Sequence, residues 1–340
     1  MLAIWWNKGV MTVAGLGLCL GVAATAAPAD AAPKTIYAFG DSLTDTGNVT
    51  ATSFGLIPLS PPYAPGRFSN GPLWIDKVAA AYGTQVTPSL AGGNDYAFGG
   101  ATTGGTVPPG VTFQTLDYLA RQGTKGADPD ALYIVYGGGN DVRNELTSTI
   151  APEALAAAAT ENVRQAITNL AQAGAEYIMV PNLSDFALTP ESIAGGPEMM
   201  NRATTLSATF NTALTGVLAG LEAAFPIDLI TLDVRSLFNS VVANPAQYGL
   251  TNVNTPCFTG AVDRPGTVCA NPDEYFFWDS VHPTTVAHQI FGDFALTALA
   301  GWEGSAGDPD GDPLEVAEPA TLVMLAGGLL GLGLMRRRQA

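Results

Sequence analysis

Phe39-Gly40-Asp41-Ser42-Leu43-Thr44-Asp45-Thr46-Gly47-Asn48 is the stretch on which the reading of this chain turns. It continues the apolar run Thr35-Ile36-Tyr37-Ala38-Phe39, a pattern that marks a buried strand. The run ends in a glycine, and turn formers follow. A serine there sits on a tight turn at the C-terminal edge of a sheet, where an open α/β sheet places its ligands. By itself it is a serine in a turn. Chemistry requires a base and an anion-stabilising site from elsewhere in the chain.

Outward from this stretch, strands and helices alternate. Leu73 to Ala81 reads as a helix behind the caps Ser69-Asn70-Gly71-Pro72. A short strand, Asp95-Tyr96-Ala97-Phe98-Gly99-Gly100-Ala101, ends in paired glycines. Thr112 to Gln122 is helical, and Ala131 to Tyr136 is the strongest strand, closed by Gly137-Gly138-Gly139-Asn140-Asp141. Then come helix Pro152 to Ala173, strand Glu176 to Val180, helix Met199 to Ala224, strand Ile227 to Leu232 and a last helix from Pro283 to about Ala300. Five strands alternating with helices predict an α/β fold, a three-layer α/β/α sandwich around a mainly parallel five-stranded sheet.

The chain has 340 residues and a net charge of −16, so a phosphate backbone is repelled and nucleic acid is not an expected partner. Residues 1–32 read as a signal peptide: Lys8, an apolar run from Val10 to Ala24, then the small-residue sites Ala24-Thr25-Ala26 and Ala29-Asp30-Ala31. The run is short for a transmembrane anchor. Residues 33–303 form the body, and 304–318 an acidic Gly/Pro/Asp linker. In that linker Asp308, Asp310 and Asp312 have the opening spacing of a calcium loop, but Pro313 stands where the loop needs glycine. In 319–340, Ala320 to Met335 is a sixteen-residue apolar run, followed by Arg336-Arg337-Arg338. Physically this is a short membrane segment with a cationic flank, able to anchor the chain. Together with Glu318-Pro319 it resembles the PEP-CTERM sorting signal of bacterial envelope and secreted proteins; Ala317 replaces the usual first proline. Export and C-terminal sorting machinery are therefore expected partners, with transient membrane anchoring, and the expected location is extracellular or envelope-associated in a bacterium. In an exported protein Cys257 and Cys269 read as a disulfide, with a metal site as the weaker alternative.

His282 is one of two histidines. In Asp279-Ser280-Val281-His282-Pro283 a carboxylate three positions ahead can accept the imidazole Nδ1 proton and leave Nε2 free to take one from a nucleophile. The plain alternative is an N-capping Asp beside a surface His. His288, further along the helix, reads as a partly exposed helix residue. Gly99-Gly100 and Gly139-Asn140 each follow a strand, and backbone N–H groups with an Asn amide are the donors that an oxyanion requires. Any one of these alone is equally a turn glycine or a cap.

Taken together, the four blocks resemble the GDSL family of serine esterases and lipases, the SGNH hydrolases. Gly40-Asp41-Ser42-Leu43 is the family's name motif, Gly100 falls on its second block, Gly139-Asn140-Asp141 on its third and Asp279-Ser280-Val281-His282 on its last. Gly66-Arg67-Phe68-Ser69-Asn70-Gly71-Pro72-Leu73-Trp74 is similar to the bacterial lipase-like branch. Asp95 departs from the asparagine of many relatives, with little effect expected on the chemistry. The resemblance implies a flavodoxin-like SGNH hydrolase fold with Ser42, Asp279 and His282 as catalytic triad. The implied oxyanion hole is built by Ser42, Gly100 (or its neighbour Gly99) and Asn140, with no metal or organic cofactor. It implies hydrolysis of carboxylic esters, from short acyl esters and lipids to acylated glycans. Acyl transfer or carbohydrate deacetylation with the same residues is the alternative, and an inactive surface or matrix binding protein is the reading from another class.

Overall fold

The computed structural model describes Pro33 and residues 35–305. The segments read as signal peptide and sorting tail, and all but the first two residues of the linker, lie outside them.

Four strands form the sheet ladder: β1 (Thr35–Gly40), β2 (Ala131–Tyr136), β3 (Tyr177–Pro181) and β4 (Asp228–Leu232), all parallel and in the order β1-β2-β3-β4. Every residue of β2 is buried, as expected for a strand covered on both faces. The fifth predicted strand is present as an irregular edge. Ala38 N–H donates to the Asn94 carbonyl (3.1 Å), Tyr96 N–H to Ala38 (2.7 Å) and Phe98 N–H to Gly40 (3.2 Å). Between this segment and β1 the regular parallel bridge is Ala38 with Asp95. In chain order the sheet therefore runs 2-1-3-4-5, the flavodoxin-like arrangement.

The helices are α1 (Asn48–Thr52), α2 (Trp74–Ala81), α3 (Val111–Gln122), α4 (Gly139–Asn144), α5 (Pro152–Gln172), α6 (Pro190–Gly195), α7 (Pro197–Ala224), α8 (Val234–Ala243) and α9 (Thr285–Ser305). Tyr136 of β2 packs on Trp74 of α2 and Phe291 of α9, whereas Tyr133 meets Tyr118 of α3. These two strand residues are three apart and face opposite sides of the sheet. Thus α2 and α9 cover one face while α3, α5 and α7 cover the other. Two further strands, β5 (Asn252–Pro256) and β6 (Tyr275–Phe277), pair in parallel beside the disulfide Cys257–Cys269. Closing that loop contributes about 3 kcal/mol on a chain-entropy account.

The sequence reading placed His288 partly in solvent. In the structure it is buried, with Nδ1 accepting the Trp74 N–H at 3.3 Å where α9 crosses the start of α2. Burial holds this imidazole down at about 3, so it is neutral at ordinary pH.

Candidate active site

Because the sheet is parallel, β1, the edge segment and β2 all end on the same side, and their loops meet there. Gly40 is fixed by close approach, since a Cβ on it would lie 2.6 Å from the Tyr136 carbonyl oxygen of the neighbouring strand. Gln114 of α3 clamps this glycine, accepting its N–H and donating to its carbonyl, both at 2.8 Å. The turn 41–45 then closes with Thr44 and Asp45 N–H groups on the Asp41 carbonyl.

The longer motif ties the serine loop to the next block. Asp45 is fully buried and accepts the N–H groups of Gly47 (2.8 Å), Asn48 (2.7 Å), Val49 (3.2 Å) and Gly99 (2.9 Å). Asn48 donates back to the Asp95 and Ala97 carbonyls. Asp95 accepts from Thr46 N–H and Oγ1 and from Ala97 N–H. The Gly99 N–H is thus engaged, while the Gly100 N–H has no protein acceptor among the described residues. Gly100 also has φ +81°, a conformation that favours glycine.

The segment 278–282 brings the base in from the other side. His282 Nε2 lies 2.9 Å from Ser42 Oγ, and His282 Nδ1 lies 2.7 Å from Asp279 Oδ2. Asp279 Oδ1 accepts the N–H groups of Val281 (2.9 Å) and His282 (2.7 Å), which folds the four residues into a tight turn. Burial would raise the Asp279 carboxyl. The charge of His282 and the hydrogen bonds from His282 and Tyr63 outweigh it and hold the group down at about 2. A hydroxyl bonded to an imidazole that is oriented by an ionised carboxylate can be activated as a nucleophile.

Asn140 opens α4. One of its amide N–H bonds goes to the Ala101 carbonyl at 2.9 Å, next to Gly100, which fixes the amide and leaves its second N–H available. Asp141 accepts from Thr103 N–H and Oγ1, tying α4 to the same segment. Ser42, His282 and Asn140 line one small cleft of about 50 Å³, walled by Leu183, Phe186 and Val281. Larger surface depressions, such as the groove beside β4, contain none of these groups. The structure therefore assembles Ser42, His282, Asp279 and Asn140, with Gly100 on the adjoining turn.

Other residues at the site were given no role of their own by the sequence, although Phe68 and Asp41 lie within its motif blocks. Phe68 packs its ring against His282 at 5.3 Å, and Gln114 and Tyr63 reach it across long chain separations. Asp41 is a further case. Its carboxyl is almost wholly buried, and burial pushes it up to about 6 against the opposing Leu43 N–H and the charge of His282. The unfolded carboxyl is already ionised above about pH 4. Folding is therefore weakened as pH rises from about 4 to 6, and the penalty is full above that window. Asp41→Asn keeps the oxygen that accepts the Leu43 N–H. Calorimetry should find its Tm raised by about 5 °C at pH 8 and by under about 1 °C at pH 4.

A family profile described as GDSL-like Lipase/Acylhydrolase matches residues 36–295. The chain is 33% identical over 298 residues to a Pseudomonas putida protein described as an uncharacterized protein in the trpE-trpG intergenic region, covering 78% of this chain and 48% of that one. It is 28% identical over 328 residues to a phosphatidylcholine-sterol acyltransferase of Aeromonas hydrophila, covering 82% and 94%. It is 33% identical over 340 residues to esterase EstA of Pseudomonas aeruginosa, covering 84% and 50%. The chain spans about half the length of both Pseudomonas proteins.

Proposed function

The chain belongs to the GDSL-like lipase/acylhydrolase family, and from that premise we propose that it is an exported serine hydrolase that cleaves carboxylic esters through an acyl-enzyme on Ser42. The observation that carries this reading is the unbroken relay from Ser42 Oγ through His282 to Asp279, with links of 2.9 and 2.7 Å. Ser42 Oγ attacks the ester carbonyl while His282 Nε2 takes its proton. The Ser42 and Gly100 N–H groups and the Asn140 amide hold the oxyanion. His282 then protonates the leaving alcohol, and water repeats the sequence to free the acid. The apolar cleft wall suits an acyl chain, and the net charge of −16 disfavours anionic surfaces.

A second reading, acyl transfer to an alcohol acceptor, uses the same residues. It is supported by the acyltransferase of Aeromonas hydrophila, of which the alignment covers 94%. Export rests on residues 1–32 and accords with the disulfide. Sorting and transient anchoring rest on residues 319–340.

The test is turnover of p-nitrophenyl esters from acetate to palmitate, with and without added alcohol, alongside labelling by a fluorophosphonate. Label on the peptide containing Ser42 and release of free acid support hydrolysis. Acyl-alcohol product in preference to acid supports transfer. Folded protein with neither label nor turnover overturns both. Asn140→Ala is expected to lower kcat by roughly 10²–10³. A loss below about threefold would remove the amide from oxyanion binding.

A further inference from the structure

One hydrogen bond to the relay comes from outside the four sequence blocks. Tyr63, in the strap 58–67, donates its hydroxyl to Asp279 Oδ2 over 2.5 Å. The same oxygen faces His282 Nδ1 at 2.7 Å, while Oδ1 takes two backbone N–H groups. A carboxylate has about four acceptor positions, and here all are filled. Tyr63 is 2% exposed and Asp279 3%, so water does not compete freely for the contact.

We propose that Tyr63 is a positioning residue for this site: its hydroxyl fixes the rotation of the Asp279 carboxylate and carries part of its charge, keeping Oδ2 on the Nδ1–H of His282. The proposal rests on the ester-hydrolase reading above. A carboxylate held only by its turn can rotate about its last bond. With Tyr63 on one oxygen and two backbone groups on the other, rotation breaks three hydrogen bonds together.

The strap is itself gripped. The Tyr63 ring meets Phe258 and Trp278 edge-on, at 5.6 and 6.1 Å, and Phe258 stacks on Trp278 at 5.6 Å. Phe258 follows Cys257, whose disulfide closes the loop 257–269. Leu59 N–H donates to the Val262 carbonyl of that loop at 2.7 Å, and Tyr63 N–H donates to the Leu59 carbonyl. Burial, then the charge of Asp279, raise the Tyr63 hydroxyl well above its ordinary range, so it keeps its proton and remains a donor.

The experiment is a double-mutant cycle on the full chain with p-nitrophenyl butyrate, using wild type, Tyr63→Phe, Asp279→Asn and the double variant. Tyr63→Phe keeps the ring and its packing. It should lower kcat about tenfold, a typical loss for one hydrogen bond to a charged group, with KM within about twofold. In the Asp279→Asn background, Tyr63→Phe should change kcat by under about twofold, because the two act as a unit. The downfield imidazole N–H proton resonance of the wild type should shift in Tyr63→Phe. A kcat within about twofold of wild type, or an equal loss in both backgrounds, overturns the proposal. If wild type turns over no ester while the N–H resonance still shifts, the hydrolase reading fails and the positioning role stands. An unshifted resonance overturns the positioning role.

Discussion

Ser42→Ala is expected to reduce kcat/KM on p-nitrophenyl esters by about 10⁵-fold or more while the protein stays folded. The substitution deletes the atom that forms the new bond. Among the described residues no other hydroxyl is bonded to His282 Nε2, which faces Ser42 Oγ at 2.9 Å. The cost to the fold is small because the side chain makes no second hydrogen bond among the described residues, and the loop is held by backbone groups of Asp41 and by Gln114 on Gly40. The turnover assay should be read beside a thermal melt. Residual activity above about a thousandth of wild type would mean that esters are attacked by something other than Ser42.

Asp279→Asn is expected to cost about 10⁴-fold in kcat. The replacement is isosteric, but an amide must put an NH₂ where one carboxylate oxygen stood. Facing Nδ1, that donor stabilises the tautomer with its proton on Nε2, which then cannot accept one from Ser42. Facing the other way, it meets the N–H groups of Val281 and His282. Stability changes with a defined sign. The folded carboxyl sits at about 2, below its unfolded range. Its contribution, about 2 kcal/mol, is full above about pH 4 and is lost as pH falls toward 2. Melts of wild type and variant should therefore differ at pH 7 and converge near pH 2. Unchanged turnover would remove Asp279 from the relay.

Much of this was legible because the signals are local. Asp279 and His282 are three residues apart, so their pairing follows from one turn. Gly40, Gly100 and Asn140 each end a strand, and parallel strands bring such ends together. Even the irregular edge segment 94–98 could be seen, since its apolar residues and terminal glycines survive the loss of regular pairing. The short helix α4 was hidden, because Gly137-Gly138-Gly139 reads as a loop. So was the small sheet of β5 and β6, which lies within Pro- and Gly-rich sequence. His288 was misplaced because spacing along α9 does not reveal that its face meets the start of α2. Tyr63 is the extreme case, with a bond spanning 216 positions that depends on how two loops pack.

The cross-link between Cys257 and Cys269 lies behind the reacting groups, and its loop is otherwise mostly exposed. Under the proposal for Tyr63, turnover would follow the redox state of this cross-link. With the two thiols reduced, the large sheet core keeps its own packing while the strap that carries Tyr63 loses a tether. If Tyr63 acts as proposed, the reduced chain would turn over ester more slowly than the cross-linked one.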